Sequence, residues 1–439
     1  MNAHQHPTRR HAIGAVAAAV ATAARPILGA NDRVNLAIVG LGGRGRNHIE
    51  QYSAIQQCRI ASLCDVNQEA LERAQAMVRK ASGGEAKGYR DMRELFDSKD
   101  IDAVSIATPN HWHALSTIWA CQAGKDVYIE KPASHNVFEG RQMVAAARKY
   151  KRMVQVGSQS RTIAHKQKAM KLLHEGVIGQ AYMARGLCYR RRQSIGRTPV
   201  VPVPPGLDWD LFLGPAPMRA YSQNRFAYNW HWFWDTGNGD IGNQGVHEMD
   251  ICNWGLGEYA FPTAVSSTGG KYIWQDDQET PNTQTATFEY GEKQIVFEVR
   301  NLPTGSEAGI PMGGASVTGN IFYGSEGFMI VHPTGYTAYK GDSREVVAQG
   351  KHEEPSVWDP KPHMANFLDA VRKRDNKSLT ADIEIGVAAA DLCHLANISY
   401  RLQRRLTIDP ATRRFVDDEG ANRMLSRDYR PPYVVPASV

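Results

Sequence analysis

A glycine-rich stretch near the start of the chain has the residue types and spacing that hold the phosphates of a dinucleotide. It reads Gly40-Leu41-Gly42-Gly43-Arg44-Gly45 and so matches G-x-G-x-x-G. In such a loop Gly40 permits a tight turn, Gly42 lets the backbone approach the pyrophosphate, and Gly45 allows close packing of a helix on a strand. A helix beginning there would direct the positive end of its dipole at the phosphates. We therefore predict a coenzyme site that includes Gly40, Gly42, Gly43, Arg44 and Gly45.

An acidic residue follows this loop at the distance typical of nicotinamide coenzyme sites. Asp65 comes 20 residues after Gly45 (65 − 45) and ends a predicted strand. Its carboxylate would accept hydrogen bonds from the ribose hydroxyls and repel a 2′-phosphate, which favours NAD over NADP. Arg44 and Arg46 are near enough in the sequence to meet a phosphate, so NADP stays open as an alternative coenzyme.

Two proline-containing turns are predicted to line the same site. Thr108-Pro109-Asn110 and Glu130-Lys131-Pro132 each follow a predicted strand, at the edge where open α/β sheets bind ligands. An X-Pro bond in such a turn can be cis. We also place His113 in the coenzyme site. His111 and His113 are only a pair, and their side chains diverge on the helix predicted there, so we predict no metal site.

The elements that must position these residues alternate between strand and helix. Short apolar runs predict strands over 34–39, 59–64, 103–107, 126–129 and 153–156. Helical spacing predicts helices over 68–81, 111–123 and 136–149. Strands separated by helices of about 10–15 residues form a parallel sheet covered on both faces. We therefore predict a Rossmann domain over residues 31–156.

The pattern changes after residue 156. A helix at 164–175, strands at 181–187, 285–290, 294–299, 321–323 and 328–331, and helices at 364–374 and 382–402 are predicted. Hairpin turns between the later strands indicate an open, mostly antiparallel sheet, whose uncovered face predicts a homo-oligomer. The predicted fold is α/β, with the N-terminal Rossmann domain, a C-terminal α+β domain over 157–408 for substrate binding and oligomerisation, and a C-terminal arm over 409–439.

Residues 1–30 are predicted to be a signal segment and are excluded from the fold. Arg9 and Arg10 precede an apolar run from Ala12 to Ala24, which is 13 residues long (24 − 12 + 1) and too short to span a bilayer. The arginine pair indicates export by the twin-arginine route. We expect a periplasmic or otherwise extracytoplasmic protein without a stable membrane anchor; the alternative is a disordered Ala-rich tail.

The composition is that of a globular protein. Hydrophobic residues make up 42% of the chain, and the formal net charge is +6. No basic stripe dominates, which argues against nucleic-acid binding. The densest basic group, at 190–192, is predicted to be a solvated loop, with contact to an anionic or polyhydroxy ligand as the alternative. The six cysteines show no CxxC and no cluster, so neither a zinc site nor a disulfide framework is indicated.

These motifs resemble those of the Gfo/Idh/MocA oxidoreductases, the glucose–fructose oxidoreductase/inositol dehydrogenase type. The matching stretches are 40–45, Asp65, 108–111, 130–132 and 242–250. The resemblance implies an NAD(P)-dependent oxidoreductase acting on a sugar or polyol, with the nicotinamide ring between the two domains.

The resemblance also assigns roles to residues. Lys131 would orient the substrate and relay its proton, and His247 matches the family's acid–base histidine. Both types suit the task, since histidine titrates near neutral pH and a desolvated lysine is shifted towards it. The family often has an aspartate four residues before the histidine, where this chain has Asn243. Asn243 can hydrogen-bond a substrate hydroxyl but cannot carry charge.

Other substrate-binding candidates are aromatic or follow the strand at 153–156. If 230–235 is extended, its three tryptophans, Trp232 and Trp234 among them, share one face. Aromatic faces suit the C–H faces of sugar rings, although a tryptophan cluster is equally good core. Gln159, Arg161 and His165 are also predicted to face the cleft.

Three functions are consistent with these features. The first is an exported NAD(P)-dependent oxidoreductase acting at a secondary alcohol of a sugar, polyol or glycoside. The second is a redox-neutral enzyme with a captive coenzyme, such as an NAD-dependent glycoside hydrolase, which the predicted signal segment favours because little NAD is available outside the cytoplasm. The third is a non-catalytic sugar or coenzyme sensor, against which the presence of Lys131 and His247 argues.

Overall fold

Six parallel strands form the first sheet of the computed structural model, which describes residues 33–353 and 359–439. The strands are β1 (Val34–Val39), β2 (Cys58–Cys64), β3 (Lys87–Tyr89), β4 (Ala103–Ile106), β5 (Asp126–Ile129) and β6 (Val154–Val156). The connecting helices are α1 (Gly43–Ser53), α2 (Gln68–Ser82), α3 (Met92–Phe96), α4 (Asn110–Gln122) and α5 (Val137–Lys149). The strand order is β3-β2-β1-β4-β5-β6, so the predicted Rossmann domain is confirmed. The predicted signal segment lies outside the described residues.

Burial and capping explain these elements. The central strands are apolar and buried on both faces, as expected between two layers of helices. Helix α2 begins where the Asn67 side chain accepts a hydrogen bond from the Glu69 amide at 3.0 Å, and it ends at Gly83 with φ +68°. The prediction missed β3 and α3, because elements of three and five residues are too short to show a period.

A ten-stranded sheet dominates the rest of the described chain. Its strands are β7 (Ala181–Arg190), β8 (Ala264–Gly270), β9 (Thr283–Tyr290), β10 (Lys293–Arg300), β11 (Ser316–Gly324), β12 (Gly327–His332), β13 (Gly335–Lys340), β14 (Glu345–Lys351), β15 (Leu406–Asp409) and β16 (Arg414–Phe415). The helices are α6 (Ala164–His174), α7 (Trp209–Leu213), α8 (Gly239–Asn243), α9 (Gly245–Leu256), α10 (Lys361–Lys373), α11 (Ile383–Leu402) and α12 (Glu419–Arg423). The order is β14-β13-β12-β11-β7-β10-β9-β8-β15-β16, and β7 runs parallel to β10 within an otherwise antiparallel sheet. The predicted open, mostly antiparallel sheet is confirmed.

One face of this sheet carries the core of the second domain. Met170 of α6, Cys252 of α9 and Leu392 of α11 pack in one buried cluster with Phe297 of β10. The opposite face carries a smaller apolar cluster that includes Ile310. Association of copies through that face stays a prediction. In the described part of the chain, no helix has both the length and the apolar character needed to cross a membrane.

Two late helices join the halves of the molecule. Phe367 of α10 is buried in the cluster that contains Leu36 of β1, and Val387 of α11 is buried with Val156 of β6. Since α11 also contributes to the core of the second domain, it fixes the position of one sheet relative to the other.

The C-terminal region is more structured than the predicted arm. The boundary placed at residue 408 falls inside β15, and β16 and α12 follow it, so an arm beginning at 409 is wrong. The last residues lack regular structure but cover their own chain: Tyr433 and Val435 are buried against the Rossmann domain. Arg430 Nε donates to the Gly214 carbonyl at 3.0 Å, which ties this end to the segment after α7.

Candidate active site

The glycine loop fits the pyrophosphate of a dinucleotide. Gly40 has φ +84°, and a Cβ there would lie 2.8 Å from the backbone of Ala107. A Cβ at Gly45 would lie 1.9 Å from the Gly40 carbonyl oxygen, so the close packing of α1 on β1 requires glycine. A Cβ at Gly42 or Gly43 would meet nothing within 4 Å, which leaves an open side for the phosphates at the start of α1.

Asp65 lies between this loop and the start of α2. Its Oδ2 accepts from the Leu41 amide at 2.6 Å, and its Oδ1 accepts from the Asn67 amide at 2.8 Å. Burial raises the pKa of Asp65, and the two amide hydrogen bonds oppose that rise. The carboxylate is therefore fixed at the position where the adenosine ribose of the coenzyme is expected.

The sequence suggested that Arg44 could contact a phosphate, but in the structure Arg44 hydrogen-bonds two side chains. Its Nε donates to Glu130 Oε1 at 2.7 Å, and its Nη1 donates to Asn47 Oδ1 at 2.9 Å. The buried His48 also contacts Glu130 Oε1 at 3.0 Å, and Ser105 Oγ lies 2.9 Å from its other ring nitrogen. Burial alone would raise the pKa of Glu130, but the charge of Arg44 and the hydrogen bond from His48 hold it well below its usual range. This network joins the glycine loop to the Glu-Lys-Pro turn.

The two proline turns lie side by side at the ends of β4 and β5. The Lys131–Pro132 peptide bond is cis, and Pro109 immediately precedes α4. His113 is 1% exposed, with Nδ1 2.7 Å from the Pro132 carbonyl and Nε2 2.9 Å from the Thr108 carbonyl. His113 thus joins the two turns, and its contact with the coenzyme stays a prediction.

Asn110 links the first turn to the second domain. It is buried, and its Nδ2 donates to Asn238 Oδ1 at 2.9 Å. Asn238 in turn donates to the His135 carbonyl at 3.0 Å and accepts at its own carbonyl from Asn397 Nδ2 at 3.0 Å. The predicted coenzyme turn and the helix α8 that begins beside Asn238 are thus held in fixed positions.

Lys131 reaches from the first domain to the second. Its Nζ donates to the Asn243 carbonyl at 2.5 Å. Burial lowers the pKa of Lys131 to about 8; the carboxylates of Glu130 and Asp240 oppose this, whereas Arg44 adds to it. An ammonium with this pKa is partly neutral in mildly alkaline solution and can accept a proton there.

His247 lies on α9, one turn beyond Asn243. It is buried, and no other described residue hydrogen-bonds its ring. Burial lowers the pKa of His247 well below its usual value, and the charge of Lys131 lowers it further. The ring is therefore neutral near pH 7 and can accept a proton. Because the charge of Lys131 acts on His247, the two predicted acid–base residues lie near each other.

Asn243 is part of a network that the sequence did not reveal. Its Nδ2 donates to Tyr228 Oη at 3.0 Å and to Asp240 Oδ1 at 3.1 Å. Asp240 is buried and pairs with Arg192 at 2.8 Å, and Asn301 Nδ2 donates to it at 2.5 Å. Burial alone would raise the pKa of Asp240, but Arg192 and Asn301 hold it below its usual value. A buried carboxylate thus lies one helical turn before the position where the family often has aspartate.

The basic group at 190–192 is not simply a solvated loop. Arg190 ends β7 and donates to Gln244 Oε1 at 2.8 Å, and the Arg192 side chain is only 15% exposed. Arg192 lies over the rings of Tyr228 and Trp232 at 5.7 and 5.4 Å. The predicted solvated loop is therefore wrong for Arg192, whereas Arg190 ends a strand but is exposed to solvent. The apolar residues of 181–187 continue with Cys188 and Tyr189, and this continuation was the signal for a longer strand.

The aromatic segment at 230–235 is turned rather than extended. The prediction that its tryptophans share one face is therefore wrong. Residues Asn229–Trp232 form a short 3₁₀ helix, in which His231 stacks on Trp230 at 3.6 Å. Trp232 is 4% exposed. Trp234 lies against α11, where the ring of Tyr400 is 6.4 Å away and Arg401 is 5.1 Å from its centre. Trp232 and Trp234 are thus separate, and only the former is near Arg192.

The residues after β6 serve the fold. Arg161 is 4% exposed, and its Nε and Nη2 donate three hydrogen bonds to Asp250. The prediction that Arg161 contacts substrate is corrected, because its side chain is committed to this buried pair. Gln159 Nε2 lies 3.5 Å from Tyr128 Oη, and His165 Nε2 lies 3.2 Å from the His332 carbonyl. Among residues 33–353 and 359–439, no group of three or more His, Cys, Asp or Glu side chains is placed to hold a metal ion.

This fold and site define a class: two-domain oxidoreductases in which a Rossmann domain meets a domain with an open sheet. Residues 34–158 match the Gfo/Idh/MocA oxidoreductase family, NAD-binding Rossmann fold, and residues 185–298 and 329–435 match the C-terminal alpha/beta domain of that family. The chain belongs to the Gfo/Idh/MocA oxidoreductase family, and its first domain has the NAD-binding Rossmann fold of that family.

Individual relatives are distant. A glycosyl hydrolase family 109 protein of Saccharopolyspora erythraea is 26% identical over 218 residues, which are 48% of this chain and 42% of the relative. The chain thus matches less than half of that relative's length. Levoglucosan dehydrogenase, solved with NADH and levoglucosan, has a TM-score of 0.65 at 17% identity, covering 85% of this chain and 99% of that one. The WlbA dehydrogenase of Bordetella pertussis, solved with NADH and UDP-GlcNAcA, gives 0.62 at 20% identity, with 86% and 99% covered.

Proposed function

We propose that this protein transfers hydride between NAD and a secondary alcohol of a sugar, polyol or glycoside. The observation that carries the proposal is the position of Lys131: its Nζ crosses from the Glu-Lys-Pro turn to the Asn243 carbonyl, one turn before His247. The nicotinamide coenzyme, when bound, accepts the hydride or returns it. The residues of the chain must then move the hydroxyl proton.

Lys131 and His247 divide that task. A substrate hydroxyl beside both groups would lose its proton to Lys131 once that amine is neutral, and burial makes both groups less basic than usual. A positioned acid–base group must lie within hydrogen-bonding distance of the proton it takes. The hydrogen bond from Lys131 Nζ to the Asn243 carbonyl fixes the position of the ammonium group beside helix α8.

The side chains beside Asn243 are of types that bind polyhydroxy ligands. Tyr228 is 50% exposed, and its hydroxyl accepts hydrogen bonds from Asn243 and Arg192. His231 lies beside it, at 4.5 Å between ring centres. Aromatic faces with neighbouring hydrogen-bonding groups fit the C–H faces and hydroxyls of sugars. Sugar derivatives are the ligands of levoglucosan dehydrogenase and WlbA, which share this fold.

A second candidate is redox-neutral glycoside hydrolysis. Two observations favour it: the match to glycosyl hydrolase family 109 proteins and the Asn243 side chain in place of the family's frequent aspartate. In such a reaction a sugar carbon is oxidised, the glycosidic oxygen leaves by elimination, water adds, and the carbon is reduced again. The net change is addition of water, so the coenzyme ends in its starting state and need not leave. Export by the twin-arginine route, which we also propose, would suit a coenzyme that stays bound.

The two candidates are separated by a substrate screen. We would incubate the protein with added NAD and a panel of sugars, polyols and aryl glycosides, and follow NADH formation and release of the aglycone. NADH formation supports the oxidoreductase, and aglycone release without net NADH supports the hydrolase. Loss of either signal in His247→Ala ties it to this site, whereas unchanged turnover in both Lys131→Ala and His247→Ala would return the sensor hypothesis.

Replacement of Asp65 tests the preference for NAD. We expect Asp65→Ser to reduce the preference for NAD over NADP by about 10–100-fold, because a charge that repels the 2′-phosphate at close range is removed. Dissociation constants for NADH and NADPH, measured by fluorescence titration, check the ratio. Asp100→Ser, on an exposed turn, is the matched control and should leave the ratio unchanged. An unchanged ratio in Asp65→Ser would place coenzyme selection elsewhere.

A further inference from the structure

An exposed proline-rich stretch lies beside the coenzyme site. We call residues 198–208 the proline segment; it reads Thr-Pro-Val-Val-Pro-Val-Pro-Pro-Gly-Leu-Asp. Residues 199–206 are all exposed, and three of them are valines: Val200 at 69%, Val201 at 42% and Val203 at 40%. Exposed apolar groups clustered in this way mark a surface that contacts a ligand or partner.

The proline segment is bound to the turn that follows Asp65. The Gln68 amide donates to the Gly206 carbonyl at 3.0 Å, and the Asp208 amide donates to the Val66 carbonyl at 3.0 Å. Asn67 and Leu207 face each other between these bonds as an antiparallel bridge. A segment that belongs to the second domain by sequence therefore pairs with the β2–α2 turn of the Rossmann domain.

Further contacts hold both ends of the proline segment in place. Arg90 Nη2 lies 3.3 Å from the Gly206 carbonyl and 3.5 Å from the Val66 carbonyl, so one guanidinium group touches both strands of the pairing. Leu207 is buried in an apolar cluster with Trp209. At the other end, the Val201 amide donates to the Tyr221 carbonyl at 3.1 Å.

The position of this pairing indicates its ligand. Asp65, whose Oδ1 accepts from the Asn67 amide, is fixed where the adenosine ribose is expected, and the paired turn begins at the next residue. We propose that the proline segment is a clasp over the adenosine half of the coenzyme, with its exposed valines against the adenine, and that it slows coenzyme dissociation. This inference rests on the proposed use of a nicotinamide coenzyme and adds how that coenzyme is retained.

The composition of the segment supports a clasp. Prolines restrict the backbone before the ligand arrives, so little conformational entropy is lost when the segment closes on a ligand. Apolar contact with the adenine needs no charge and leaves the NAD preference to Asp65. A retained coenzyme is what a redox-neutral cycle requires, so the clasp and the second candidate function are mutually consistent.

The release rate of NADH tests the clasp. We would load the protein with NADH and follow the loss of bound-NADH fluorescence after a chase with excess NAD. We expect release about tenfold faster, equivalent to about 1.4 kcal/mol, when residues 200–205 are replaced by two glycines. Arg90→Ala should accelerate release several-fold, and Arg79→Ala, an exposed arginine paired with Glu85 on the same domain, should not.

A variant with Val200, Val201 and Val203 changed to serine covers the case in which the shortened chain fails to fold. These side chains are exposed, so thermal unfolding should match that of the parent, whereas NADH release should still accelerate. Release at the parental rate from folded valine and Arg90 variants would overturn the clasp while leaving the coenzyme site intact. A parent protein that binds no NADH would instead overturn the proposed function.

Discussion

Replacement of Lys131 with alanine is expected to lower kcat by about 10²–10⁴-fold, the contribution typical of a positioned acid–base group. The ammonium is held by the Asn243 carbonyl at 2.5 Å, and no other described lysine or arginine hydrogen-bonds that atom. Steady-state rates on the substrate identified in the screen would measure the loss. A loss of less than about threefold, well below that range, would contradict the role of Lys131 in proton transfer.

The pH dependence of kcat/KM shows whether Lys131 transfers a proton or acts only through its charge. Because the pKa of Lys131 is lowered to about 8, kcat/KM for alcohol oxidation should rise with pH below about 8 and level off above it. The neutral amine, which accepts the proton, is the form that accumulates as pH rises. Lys131→Arg keeps the positive charge but stays protonated, so it should be as impaired as the alanine variant. Recovery of activity in the arginine variant would show that charge alone suffices.

Replacement of Arg161 with methionine is expected to lower the free energy of unfolding by about 3–5 kcal/mol, the cost of leaving a buried charge without its partner. The side chains of Arg161 and Asp250 are 4% and 1% exposed, and three hydrogen bonds join them. The guanidinium also lies 4.9 Å from the centre of the Trp254 ring, a cation–π contact that methionine would lose. Urea denaturation followed by circular dichroism would measure the change.

A double variant tests the reason for that loss. Arg161→Met combined with Asp250→Leu removes both charges and should be more stable than Arg161→Met alone, because no unpaired carboxylate stays buried. Arg79→Met, which breaks an exposed pair with Glu85, should leave the unfolding transition unchanged. A double variant as unstable as the single one would assign the loss to packing rather than to charge.

The parts of the fold that could be predicted are those specified by short sequence motifs and by the periodicity of apolar residues. The glycine loop and Asp65 lie within one stretch of chain, and the strands and helices of the Rossmann half have clear apolar periods. Strand β8 was missed, since Ala-Val-Ser-Ser-Thr-Gly-Gly has little apolar character, and so was β14, whose residues are largely exposed at the sheet edge. Such strands form because neighbouring strands offer hydrogen bonds, which sequence periodicity does not record.

The candidate active site, like the fold, could be predicted only where its residues lie in sequence motifs. Lys131 and His247 lie in motifs, but their environment depends on contacts between residues far apart in sequence. Arg44 is 86 residues from Glu130, and Arg192 is 48 from Asp240, so no spacing rule reveals either pair. The aromatic segment at 230–235 was misjudged because a 3₁₀ turn replaced the assumed extended form. Ion pairs within each domain thus decide which arginine side chains already have a protein partner.

The central claim, that the glycine loop and Asp65 bind a nicotinamide coenzyme used in catalysis, is tested most directly by counting NAD per chain. We would measure NAD(H) released by denaturation of the purified protein, before and after exhaustive dialysis and after saturation with added NAD. Coenzyme binding at this site predicts close to one NAD(H) per chain at saturation; retention through dialysis would favour the captive coenzyme, and its loss would favour an exchangeable one. A folded protein that holds no NAD(H) even at saturation would contradict the account.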